Sequence, residues 1–217
     1  MTDMAEARIA MVDSQLRTND VTDPALIAAF RAIPREAFLP PAARSTAYAE
    51  FEPEVAPGRR LMAPRDLAKL IAAVAPRPGD KALELAGGTG YGAAILAKCA
   101  KTVVTLDPSP DLSFAARAAL DQCGLANVTA VCTEARAGWP DGAPFDVIIV
   151  NGAAEHVPQT WLDQLAEGGR LGVIVREGAA GQARIYLKTG GKCAFRIAFD
   201  ASPYPAPGLQ REKTFAF

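Results

Sequence analysis

Residues 81–97 read KALELAGGTGYGAAILA, and this run restricts the fold more than any other segment. Its first part, residues 82–86, is a short apolar stretch of the kind that forms a buried strand. Glycines at 87, 88 and 90 follow, and then an apolar run predicts a helix. Glycine permits a tight turn and lets backbone approach a ligand closely. A helix starting there directs free N–H groups and a partial positive charge at that ligand. The segment therefore predicts a cradle for a cofactor and leaves its identity open.

Two cofactors compete for this cradle. Gly88, Gly90 and Ala93 formally fit the dinucleotide pattern G-x-G-x-x-G/A, which alone supports a nicotinamide-dependent oxidoreductase. The second reading is an S-adenosylmethionine site. Glu84 lies near the end of the strand, just before the turn. A carboxylate there opposes a pyrophosphate but tolerates a ligand carrying an amine and a sulfonium, so Glu84 favours the second reading.

Composition narrows the partners. The chain has 217 residues, half of them hydrophobic, enough for one α/β domain with a substantial core. Lys plus Arg is 23 against 24 Asp plus Glu, a formal net charge of −1. That balance gives no reason to expect a nucleic-acid partner. No apolar run reaches bilayer length, so no membrane partner is expected either. The first residues lack a basic start and an apolar signal core, which predicts a cytoplasmic protein. The four cysteines, at 99, 123, 132 and 193, have no C-x-x-C spacing, and His156 is the one histidine. No metal is expected.

Along the chain, Ala5, Ile9, Val12 and Leu16 predict an amphipathic helix over 4–18. Asp23 and Pro24 predict the cap and first position of a second helix, ended by Pro34. Residues 37–60, with four prolines, are expected to be irregular, and 64–74 helical. Strands are predicted over 82–86, 102–107, 128–133, 145–150 and 169–175, with helices over 111–123 and 158–166 between them. The runs 183–188 and 192–200 flank Thr-Gly-Gly, a hairpin signal. The fold class is therefore α/β: one doubly wound, mostly parallel seven-stranded sheet, with an antiparallel C-terminal hairpin and an N-terminal helical extension. Residues 1–217 are expected to form one domain, with helices and an acceptor loop in 1–75 and a cofactor-binding core in 80–217. The tail from 202 to 217 is expected to lie over the body of this domain.

In such sheets ligands bind outside the carboxyl ends of the strands. Gly87, Gly88 and Gly90 follow the first strand there. Asp107 ends the second and can accept both hydroxyls of a ribose. Glu134 follows the third strand, near the adenine end of a ligand, and Asn151 the fourth, near its methionine portion or a substrate.

Several segments together resemble one family, the protein-L-isoaspartate O-methyltransferases, over about four fifths of the chain. MVDSQLR at 11–17 resembles its opening helix, and AIPREAFLP at 32–40 is similar to its signature VPRExFVP. GRRLMAP at 58–64 aligns with its loop G-Q-T-I-S-x-P. Glu134 with AGW at 137–139 matches D-G-x-x-G-W. VNGAAEHVP at 150–158 and QLAEGGRL at 164–171 match its closing segments. The resemblance implies S-adenosylmethionine as cofactor and a stray carboxylate of isoaspartyl residues in damaged proteins as acceptor; Glu84, Gly87, Gly88, Gly90, Asp107, Glu134 and Asn151, placed at the strand ends, are then the candidate cofactor contacts.

The chain departs from the pattern at informative places. The family's loop Ser falls on Met62, its Gln and Thr on Arg59 and Arg60, and the first Gly of its turn on Ala86. Met62 offers a weakly accepting sulfur and no donor. A carboxylate is already ionised at pH 7 and needs no base, so methyl transfer rests on alignment and desolvation. Arg59, Arg60 or Arg65 can grip an anionic acceptor in place of the lost hydroxyl. No catalytic residue is assigned. A cofactor-binding relative without isoaspartyl activity, or a methyltransferase with another acceptor, stays open, as does oligomeric state.

Overall fold

The computed structural model describes residues 3–210. The N-terminal helix runs as α1 (Met4–Met11), widens to a π turn over Val12–Leu16 and tightens to a 3-10 turn over Arg17–Asn19. The predicted helix over 4–18 is thus helical throughout but not uniformly α. Helix α2 (Pro24–Ala32) starts as expected, with the Asp23 carboxylate accepting from the Leu26 N–H at 2.8 Å and Pro24 at the first position.

The stretch expected to be irregular, 37–60, contains order. Short 3-10 turns cover Arg35–Phe38 and Pro41–Thr46, and β1 (Glu54–Ala56) pairs with β2 (Arg59–Arg60) in a two-stranded hairpin around Gly58. Prolines hid these elements because proline suits first turns of 3-10 helices as well as loops. Helix α3 (Pro64–Val74) leads to the sheet.

Strands β3 (Lys81–Leu85), β4 (Thr102–Asp107), β5 (Val128–Cys132), β6 (Phe145–Ala154), β7 (Leu165–Glu177), β8 (Ala180–Thr189) and β9 (Lys192–Asp200) form one seven-stranded sheet, in the order β5-β4-β3-β6-β7-β8-β9. The pairings from β5 through β7 are parallel, and those of β7 with β8 and β8 with β9 antiparallel. Helices α4 (Tyr91–Ala97), α5 (Pro110–Gln122) and α6 (Gln159–Asp163) connect the parallel strands. The helix predicted over 158–166 is shorter, because β7 begins at Leu165 and pairs there with Phe145.

Apolar alternation along the strands fills both sides of the sheet. Ala82, Val147 and Ile149 join one buried cluster with α3 and α4, while Leu83, Leu85, Val150 and Leu171 join another around Trp161. This two-sided burial explains why the strand sequences read as continuous apolar runs. At Val150–Gly152 the register of β6 against β7 shifts, and β6 continues to Ala154 beyond the predicted end at 150.

The tail closes over this extension. Ala153 N–H donates to Tyr204 O at 3.0 Å, Ala206 N–H to Ala153 O at 2.8 Å, and Glu155 N–H to Leu209 O at 3.1 Å. Residues 202–210 therefore lie over the body as expected, and 211–217 fall outside the described residues.

Candidate active site

All parallel strands end at one edge, and the residues singled out from sequence gather there. Between β3 and α4 the chain turns through Ala86 (φ 56°), Gly87, Gly88 (φ 60°), Thr89 and Gly90 (φ 86°). The last two glycines adopt the left-handed region that the turn requires. Gly87 has a different reason: a side chain there would collide with Thr105 Oγ1 and Glu84 Oε2.

Glu84 lies beneath this turn and is fully buried. Its Oε2 accepts from the Thr105 hydroxyl at 2.7 Å and from Ala93 N–H at 3.1 Å, and its Oε1 accepts from Asn151 Nδ2 at 3.0 Å. The acid is thus aimed at the start of α4, where the helix dipole favours negative charge. Burial nevertheless dominates and pushes its pKa up to about 7, against the opposing pull of these hydrogen bonds. Asn151 is also buried, and among the described residues its Oδ1 has no hydrogen-bond partner.

Asp107 ends β4 and faces the turn. Gly88 N–H donates to its Oδ2 at 2.9 Å and Ser109 N–H to its Oδ1 at 3.1 Å. Arg59, from β2, donates through Nε to the same Oδ2 at 3.2 Å, and its Nη2 hydrogen-bonds Ala86 O. Both partners are buried, at 5% exposure for Arg59 and 4% for Asp107. The structure therefore places Arg59 inside the cradle and not among the surface charges.

The other candidates lie farther out. Arg60 sits 4.3 Å above the Tyr204 ring and donates to Glu52 O at 3.1 Å. Arg65 pairs with Glu50 and, at 3.0 Å, with Asp66. Met62 is buried in the apolar cluster on the α3 and α4 side. Glu134 is exposed, ahead of a 3-10 turn over Ala135–Ala137 that Trp161 Nε1 fixes by donating to Ala135 O at 3.0 Å. Glu84, the glycine turn, Asp107, Asn151 and Arg59 thus form one connected cluster, with Arg60, Met62, Arg65 and Glu134 around it.

Sequence reasoning did not single out Arg35, Thr89 or Tyr91. Arg35 is fully buried; its Nη2 donates to Met62 O at 2.7 Å and its guanidinium lies 4.8 Å from the Tyr91 ring centroid. Burial lowers its pKa from the usual arginine value. Thr89 donates to Phe38 O at 2.7 Å. Together they fasten the N-terminal extension and the 58–64 loop to the glycine turn. The signal for Arg35 was present, since it is the one basic residue of the 32–40 segment.

The glycine turn and the acid ending the next strand are common to nucleotide-binding sheets; the antiparallel β8 and β9 and the buried Glu84 beneath the turn set this one with the Rossmann-like methyltransferases. A model of the family "Protein-L-isoaspartate(D-aspartate) O-methyltransferase (PCMT)" matches residues 7–200. The chain belongs to this family. It is 39% identical over 193 residues to a protein-L-isoaspartate O-methyltransferase of Methylorubrum extorquens (strain PA1), covering 89% of this chain and 84% of the relative. Protein-L-isoaspartate O-methyltransferase 1 of Rhodopseudomonas palustris (strain HaA2) is 38% identical over 186 residues, covering 86% of this chain and 76% of the relative. A solved protein-L-isoaspartate O-methyltransferase structure superposes with a TM-score of 0.80 at 27% identity, covering 94% of this chain and 67% of that one. A Plasmodium falciparum structure solved with S-adenosyl-L-homocysteine shares the fold, with a TM-score of 0.80 at 17% identity over 92% and 97% of the two chains.

Proposed function

We propose that this chain methylates the free carboxylate of isoaspartyl residues in damaged proteins, using S-adenosylmethionine. The observation that carries the reading is Asp107, a buried carboxylate held at the glycine turn by the Gly88 N–H at 2.9 Å. The residues fit the cofactor: the Asp107 carboxylate is the kind of group that accepts two sugar hydroxyls, Gly88 and Gly90 place no side chain of their own at the turn, and Asn151 Oδ1 is an orphaned buried acceptor for an ammonium group among the described residues. Bound there, the cofactor would supply a sulfonium-borne methyl group, whose transfer to the acceptor oxygen would give an ester and leave S-adenosylhomocysteine.

The chain's own residues position and desolvate. Glu84 braces the turn through the Ala93 N–H and sets Asn151 by accepting from its amide. In this reading Glu134, exposed after β5, serves the adenine end of the cofactor. Arg60, which stacks on Tyr204, and Arg65, which pairs with Glu50 and Asp66, are in this reading the candidate cations for the anionic acceptor, while Arg59 is engaged on Asp107. Met62 offers no hydroxyl, so acceptor alignment rests on these cations and on backbone N–H groups. Arg35 supports that loop by holding the Met62 carbonyl. No general base is required, since the acceptor is ionised at neutral pH.

Residues 1–217 act in this reading as one catalytic unit. We place it in the cytoplasm, where four free cysteines remain reduced. Incubation with methyl-labelled cofactor and an isoaspartyl peptide is expected to yield base-labile methyl ester. Ester at the level of a heat-killed control, or equal labelling of the normal aspartyl peptide, counts against the proposal.

A further inference from the structure

We propose that Arg59 is an internal occupant of the cofactor's sugar site, and that it must leave Asp107 before the cofactor binds. The inference rests on the reading of Asp107 as the ribose acceptor and adds a competitor for it. The Arg59 Nε and Nη2 atoms both lie 3.2 Å from Asp107 Oδ2, which also accepts the Gly88 N–H at 2.9 Å. Asp107 Oδ1 is engaged by the Ser109 N–H at 3.1 Å. With Oδ2 taken by three donors, a sugar diol can reach this carboxylate only by displacing the guanidinium.

The second observation is spatial. A side chain at Gly88 would meet Arg59 Nη2 at 3.6 Å, so the guanidinium lies against the glycine turn. Its Nη2 also takes the Ala86 carbonyl. The chain's own cation thus lines the space over Gly88, with Leu61 Cδ2 at the same 3.6 Å distance. Arg59 can vacate it because β2 is a two-residue strand at the end of a small hairpin whose Gly58 has open space around it.

The pair is charged and buried, whereas the incoming diol is neutral, so the competition weakens cofactor and demethylated product alike. Apparent affinity falls by the fraction of molecules in which the site is free. A pair closed about nine-tenths of the time raises the dissociation constant about tenfold. The same pre-equilibrium slows association, and it opposes retention of S-adenosylhomocysteine after each turnover.

Calorimetric titration of S-adenosylhomocysteine into the whole protein tests this, with Arg59→Gln, Arg59→Lys and Asp107→Asn alongside and folding checked by thermal melting. Arg59→Gln is expected to bind about tenfold more tightly, with faster association in stopped flow, and Arg59→Lys to show a smaller gain. If Arg59→Gln does not fold, Arg59→Lys decides by the same criterion. Unchanged or weaker binding by the folded variant overturns the inference. If at the same time Asp107→Asn has lost binding that the unaltered protein retains, the ribose reading survives. If Asp107→Asn binds like the unaltered protein, or no form binds, that reading fails and takes this inference with it.

Discussion

At position 84 a carboxylate occupies a strand site that otherwise would bury an alkyl group, and its protonation is tied to stability. Its folded pKa is raised by burial from 4.5 to about 7. Between those values the folded state binds more protons than the unfolded chain, so stability falls as pH rises. The contribution is complete below about 4.5 and lost above about 7, roughly 3 kcal/mol at about 1.4 kcal/mol per pH unit. Urea unfolding at pH 5 and pH 8 is expected to show that loss in the unaltered protein and a smaller one in Glu84→Gln; identical pH slopes would refute the assignment. Ala86 shows a different tension at the same turn. It holds a φ of 56° where the family pattern has glycine, a conformation costly for a residue with a Cβ. Two hydrogen bonds flank this strained residue: Gly88 N–H donates to Asp107, and the Ala86 carbonyl accepts from Arg59.

Among elements, the extension of β6 past Val150 joins the sheet edge to the tail. Gly152 sits in it with φ 119°, and a Cβ there would stand 3.2 Å from both Ala206 Cβ and Tyr204 O. Gly152→Ala therefore combines backbone strain with a steric push on the tail, and a loss of about 1–3 kcal/mol is expected. Hydrogen exchange should locate the damage: the Ala153 and Ala206 amides lose protection while those of β3 and β4 keep it. Uniform loss, or none, would show that the tail is not held at this point. The parallel strands were legible from the sequence because burial on both faces writes them as apolar runs between turn residues. The tail contact was not, since residues 202–209 carry no periodicity and pair through backbone groups. The cradle was legible in the glycines, Glu84 and Asp107 because they adjoin strand ends in the chain. Arg59 was legible only as a charge near the site, since its place on Asp107 depends on a pairing 48 residues apart.

For the whole molecule the question is what a ligand at the strand ends would hold together. Asp107 comes from β4, the glycine turn from β3, Asn151 from β6, and the loop carrying Arg59 and Met62 from the N-terminal extension. The extension is fastened to the turn by Thr89 on Phe38 O and by Arg35 on Met62 O. The tail is tied to that extension by the Tyr204 N–H on Glu52 at 2.9 Å. A ligand on Asp107 thus stabilises every layer in the native state and none in the unfolded chain. Mass action then gives about 2.7 kcal/mol at a ligand concentration of about one hundred times the dissociation constant. For a domain of roughly this size that corresponds to a melting temperature raised by about 5–10 °C. S-adenosylhomocysteine should produce this shift in the unaltered protein as a single transition, because extension, sheet and tail share the gain. Asp107→Asn should show little shift at the same ligand concentration, while Glu134→Gln, at an exposed position on the rim, should retain most of it. A split transition in which one part melts independently of ligand would mean that the site does not couple these layers.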